Sequence, residues 1–96
     1  MDRKEILDFL KQNTPTIEKF GVKKIGLFGS FVTDKNVKSS DIDILVEFEP
    51  SEKTFDNYMD LKFFLEDNLK RKVDLVIVEN IKPELKEEIL NSVKYA

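Results

Sequence analysis

Cysteine and histidine are both missing from the 96 residues. Without cysteine there is no disulfide, no thiolate metal site and no thiol nucleophile, and the chain suits a reducing cytosol. Without histidine, a Ser-His-Asp triad and an imidazole-held zinc are excluded within the chain. Acid–base or metal chemistry therefore falls to carboxylates, lysines, tyrosines and hydroxyls. Long apolar runs are missing too. The N-terminal MDRKEILDFLKQN lacks the uninterrupted apolar stretch of a signal peptide, and no segment approaches a membrane-spanning length. A cytoplasmic protein is the expectation. Positive charge is not in excess: the net charge is −3, which argues against a life on a nucleic-acid backbone.

What is present fits a globular protein. Hydrophobic residues make up 41% and charged residues 36% of the chain, too apolar for a disordered one. The length implies a single domain over residues 1–96. A domain of this size buries surface with modest efficiency, so association with itself or with another chain is expected.

Residues 2–12 read as an amphipathic helix with Ile6, Leu7, Phe9 and Leu10 on one side. Thr14 is placed to cap a second short helix that starts at Pro15, carries Ile17 and Phe20 inward and ends at Gly21. VKKIGLF, residues 22–28, reads as the first strand. Gly26 weakens it unless another backbone or a ligand comes close. Gly29-Ser30 ends that strand, a short helix begins at Phe31, and KNVKSS (35–40) forms a polar loop.

The second strand, Asp41 to Phe48, alternates cleanly. Ile42, Ile44, Val46 and Phe48 share one face, and Asp41, Asp43, Leu45 and Glu47 share the other. Phe55 to Leu69 is the longest helix, with an aromatic-rich stripe for packing on the sheet. Lys72 to Val78 is almost wholly apolar apart from Asp74, which predicts a central strand covered on both faces. Pro83 opens a last helix, Glu84 to Tyr95, with Leu85, Ile89 and Val93 in the core. The sum is a small α/β protein: a mixed three-stranded sheet with about four helices.

The chemistry lies in the acids. Asp41 and Asp43 leave one face of a strand roughly 6.5–7 Å apart. Carboxylates so close repel each other, and a divalent cation is the natural compensation. Magnesium takes one or two carboxylates together with substrate phosphate oxygens. Asp74 is a third acid, set in a strand where an unpaired charge is expensive. If the third strand lies beside the second, Asp74 points at the same pocket. Three acids around magnesium serve phosphoryl and nucleotidyl transfer. Gly29-Ser30 supplies the other half, because a glycine lets phosphate approach the backbone and Ser30 adds a hydroxyl donor. Either motif alone is weak, since most exposed acids merely solvate a surface. Their order along the chain makes the joint pattern specific.

These residues resemble the nucleotidyltransferase superfamily related to DNA polymerase beta. The likeness rests on Gly29-Ser30, on Ser40-Asp41-Ile42-Asp43 followed by Ile44-Leu45-Val46, and on Asp74 in Val73-Asp74-Leu75-Val76. In length, and in the C-terminal IKPELKEEIL, the chain is similar to the minimal nucleotidyltransferases of bacteria and archaea. Kanamycin nucleotidyltransferase shares the pattern but is larger.

The resemblance implies the nucleotidyltransferase fold and an antitoxin paired with a HEPN-domain ribonuclease toxin. It implies AMP transfer (AMPylation) from ATP to a tyrosine of that toxin. By carry-over, Gly29 and Ser30 hold the ATP phosphates, and Asp41 and Asp43 bind magnesium. Asp74 helps to bind metal and orients or deprotonates the acceptor hydroxyl. One departure stands out. Where the family often reads Gly-Ser, any residue, Ala-Arg-Gly, this chain has Gly29-Ser30-Phe31-Val32-Thr33-Asp34. A positive charge is lost near the triphosphate and a negative one added, and Lys35 and Lys38 are the candidates to compensate. Two other readings remain open: a non-catalytic binding module that silences its partner by occlusion, and a nucleotidyltransferase with a small-molecule acceptor.

Overall fold

The computed structural model describes residues 2–33 and 41–96. The elements run α1 (Arg3–Gln12), α2 (Thr14–Glu18), β1 (Val22–Phe28), α3 (Ser30–Thr33), β2 (Ile42–Phe48), α4 (Phe55–Leu69), β3 (Val73–Ile77), a 3-10 turn (Val78–Asn80), α5 (Pro83–Ser92) and β4 (Lys94–Tyr95). The sheet order is β3-β2-β1-β4. The β1–β2 and β1–β4 pairs are antiparallel and the β2–β3 pair is parallel. The sheet is thus mixed, as expected, but it has four strands.

Local chemistry fixes the helix ends. Asp2 and Glu5 form a reciprocal capping box at the start of α1. Thr14 does not cap α2. It is already helical, its hydroxyl donates to Lys11 O at 2.9 Å, and Asn13 occupies the cap position. A proline follows in the first turn, where no intrahelical N–H is needed. Thr54 caps α4 by accepting from Asn57 N–H at 3.1 Å. At the far end of α4, Lys70 sits at φ 57°, a conformation that costs a non-glycine residue about 1–2 kcal/mol. Lys70→Gly is therefore expected to stabilise the fold by about 0.5–1 kcal/mol after the entropy of the new glycine is subtracted. A thermal melt checks this, with an expected rise of a few degrees.

The alternation in β2 divides the core. Ile42, Ile44, Val46 and Phe48 join Ile6, Leu10, Ile17, Phe31, Leu61 and Leu65 on one side of the sheet. Leu45 joins Phe28 and Ile81 on the other, where Val76, Ile89, Leu90 and Val93 pack against them. β3 is covered on both faces, but it is an edge strand, not a central one. An unbroken apolar run reports layers above and below a strand, and the number of hydrogen-bonded neighbours is a separate matter.

The open edge of β3 is managed by α4. Ile42 N–H donates to Lys72 O at 3.0 Å, so Lys72 and Asp74 turn their peptides toward β2, and Val73 and Leu75 turn theirs outward. Glu66 accepts from Val73 N–H at 2.9 Å, and Tyr58 Oη donates to Leu75 O at 2.7 Å. Val73 N–H and Leu75 C=O are thereby satisfied, which helps to protect an edge that could otherwise pair with another chain. Tyr58, expected only as part of a packing stripe, is also a hydrogen-bonding clamp.

The last helix stops at Ser92, short of the expected Tyr95, because Val93 takes an extended conformation. Lys94 and Tyr95 then pair with Leu27 and Gly26. This explains Gly26. A Cβ there would lie 2.8 Å from Val93 Cγ2 and 3.0 Å from Lys94 O, so the close backbone is β4. Leu85 was expected in the core but is 45% exposed. It lies in the first half of α5, and the inward contacts are made further along by Ile89, Leu90 and Val93.

Candidate active site

The candidate residues gather at one end of the sheet. Phe28, the last residue of β1, is paired with Asp43, and Asp43 is paired with Asp74. In a parallel pair, side chains in register point to the same face, so the parallel β2–β3 pairing brings acids 31 positions apart into one place. Asp41 lies just before β2, exposed. Gly29, at φ 75°, turns the chain into α3 directly over Asp43. A Cβ on Gly29 would run into the Asp43 carboxylate, 2.8 Å from its Cγ. The glycine is thus required twice, for the left-handed turn and for the space.

The electrostatics centre on Asp43. Its carboxyl is pushed up to about 6, first by burial and next by the Asp74 charge. Ser30 N–H donates to it and pulls the other way, while a hydrogen bond with the Asp74 side chain and the charge of Asp41 add to the rise. Asp43 and Asp74 are neighbours in register on adjacent strands, and Asp41 acts on Asp43 through charge. Among the described residues no three acids already stand as a metal centre.

The sign of the pH effect follows. The folded protein holds the Asp43 proton up to about pH 6, whereas an unfolded chain releases it near pH 4. Between those values the folded state binds more protons, so stability falls as pH rises through the window and stays low above it. The undiscounted cost is about 3 kcal/mol, and solvent around a half-buried group reduces it to about 1 kcal/mol. Urea titrations of the metal-free protein at pH 4.5 and pH 8 are expected to differ in this sense, and Asp43→Asn to flatten the difference.

α3 is braced from two sides. Arg3 Nη1 donates to Val32 O at 3.0 Å, and the Arg71 guanidinium lies 5.3 Å from the centre of the Phe31 ring. Neither arginine was singled out in the sequence. Arg71 could have been found from its place three residues before Asp74. The stretch that departs from the family pattern is only partly in view: Asp34, Lys35 and Lys38 lie outside the described residues. A separate cavity of about 300 Å³ is lined by Ile17, Val22, Ile25 and Tyr95. It opens at the start of β1, away from the acids.

Residues 3–96 match the model of the nucleotidyltransferase domain. The chain belongs to the nucleotidyltransferase family. The protein adenylyltransferase MntA of Thermococcus cleftensis is 38% identical over 78 residues, which are 81% of this chain and 78% of MntA. Among solved structures, a chain provisionally described as a minimal nucleotidyltransferase superposes with TM-score 0.84 at 28% identity. That match covers 98% of this chain and 95% of the other. A chain of the MntA–HepT toxin–antitoxin complex matches with TM-score 0.54 at 28% identity, over 96% of this chain and 66% of the other. The expected nucleotidyltransferase fold and family are thus found, with one more strand than predicted. Among the described residues no helix is long and apolar enough to cross a membrane.

Proposed function

We propose that this nucleotidyltransferase uses magnesium to transfer AMP from ATP onto a hydroxyl of a partner protein, and that it is the cytoplasmic antitoxin of a HEPN ribonuclease toxin. The observation that carries this reading is the pairing of Asp43 with Asp74 across the parallel β2–β3 register, beside Gly29-Ser30. The likeness to MntA supports a protein acceptor, and the MntA–HepT complex supports a toxin partner.

In this reading Gly29 and Ser30 hold the ATP phosphates, and Asp41, Asp43 and Asp74 hold the metal. The donors fit magnesium: all are carboxylate oxygens, and the like charges that raise the Asp43 pKa are those a cation would offset. When bound, the metal neutralises phosphate charge and the charge on the leaving pyrophosphate. Asp43 is tucked under Gly29, whereas Asp74 is exposed, so an acceptor can reach Asp74. Asp74 orients the acceptor hydroxyl and takes its proton. The hydroxyl oxygen bonds to the α-phosphorus, the bond from that phosphorus to the bridging oxygen breaks, and pyrophosphate leaves with the electron pair.

The test is intact-mass measurement of the toxin after incubation with this protein, ATP and magnesium. The expected result is a gain of AMP on the toxin, absent with the Asp41→Asn/Asp43→Asn protein. A toxin silenced without any gain in mass would replace this reading with occlusion. Pyrophosphate release without a protein adduct would point to a small-molecule acceptor.

A further inference from the structure

The described part of the site is built from three acids, and a nucleoside triphosphate brings further negative charge. Magnesium offsets part of it. A fixed cation at the same end of the sheet would offset more, and one side chain is built to be fixed there. Arg71 lies between the end of α4 and the start of β3, half-buried. The next residue, Lys72, accepts from Ile42 N–H at 3.0 Å, so the backbone at Arg71 is tied to the residue that separates Asp41 from Asp43. Its guanidinium is laid against the Phe31 ring at 5.3 Å. Phe31 is itself only 1% exposed and directly follows Ser30, whose N–H meets Asp43. The cation is therefore referenced to the Gly-Ser turn by packing and to the acid-bearing strand by a backbone hydrogen bond.

We propose that Arg71 is a nucleotide-binding residue whose guanidinium meets the polyphosphate of ATP. Guanidinium is suited to this task, since it is always charged and presents a planar fork of donors that matches phosphate oxygens. Stacking on Phe31 lowers the entropy lost when the fork is used, because the plane is already held. A lysine at this position would keep the charge but lose the fork and the stack.

This inference rests on the nucleotidyltransferase reading of the site, and the experiment separates the two. Binding of ATP, AMP and adenosine is measured calorimetrically, with magnesium, for the natural protein and for Arg71→Met and Arg71→Lys. Methionine keeps the apolar packing on Phe31 without charge, and circular dichroism confirms folding. The expected result is a loss of ATP affinity of about tenfold to a hundredfold in Arg71→Met, the size of a lost charge-assisted hydrogen bond. The loss for adenosine is under about twofold, and Arg71→Lys recovers part of the ATP affinity. Equal losses for ATP and adenosine, or unchanged ATP affinity in folded Arg71→Met, would overturn the role of Arg71 while leaving the site intact. Failure of the natural protein to bind ATP at all would instead overturn the site reading on which it rests, and the role of Arg71 with it.

Discussion

The Asp43→Asn protein is expected to lose AMP transfer by roughly a thousandfold or more while becoming harder to unfold. The two effects have one cause. Asp43 is held under Gly29 and beside Asp74, where its negative charge is costly. Asparagine keeps the shape, can still accept from Ser30 N–H and can donate to Asp74, but it carries no charge. Metal-free asparagine protein at pH 8 should therefore gain about 1 kcal/mol, which is a rise of about 4–8 °C in melting temperature for a chain of this size. On the proposed reading, the lost reaction would reflect several kcal/mol of charge stabilisation that a bound metal would supply at the phosphates. Melting with ATP and magnesium gives the second reading. The natural protein should rise in melting temperature as ligand binds, and Asp43→Asn should rise far less. An asparagine protein that is less stable at pH 8 would mean that Asp43 is not under the strain assigned to it.

The second large effect is expected at Gly29. Gly29→Ala places a methyl in a left-handed turn, at about 1–2 kcal/mol, and drives it into the Asp43 carboxylate. A total loss of about 2–3 kcal/mol corresponds to a fall on the order of 10 °C in melting temperature. Transfer measured per folded molecule should fall to near background, since the acid must move away from the turn. Gly21→Ala is the matched control. Gly21 is also left-handed, at φ 81°, but a Cβ there meets the exposed Glu52 side chain. It should cost comparable backbone energy and leave transfer per folded molecule unchanged. If both alanine proteins lose transfer equally, general destabilisation is the cause and the fit between Gly29 and Asp43 is not.

Much of this was legible in residue order. The alternation of β2 correctly divided its side chains between two faces, because each face is covered by a separate cluster and period two leaves no other assignment. Asp74 stood out because it interrupts an apolar run, and the register places it beside Asp43. The misses share a physical origin. β4 is two residues long, too short for any periodicity, and Gly26 was its only trace. The rank of β3 in the sheet was invisible because burial of its faces and pairing of its edge are independent. Arg71 and Tyr58 escaped notice because an arginine near a turn and an aromatic in an apolar stripe look ordinary until their partners across the fold are known.

The parallel register has a further consequence for how securely the site is assembled. Asp43 belongs to the antiparallel β1–β2 pair inside the sheet and Gly29-Ser30 directly follows β1, whereas Asp74 is carried by a five-residue strand at its margin. Marginal strands open more often than central ones, by local fluctuations that cost less than unfolding the whole. Each opening of β3 would separate the two acids, return Asp43 toward an ordinary carboxylate and leave the turn standing without its partner. The fraction of molecules competent for the reaction is then governed by how firmly Glu66 and Tyr58 hold that margin. Amide exchange at Asp74 and Val76 would report that fraction directly.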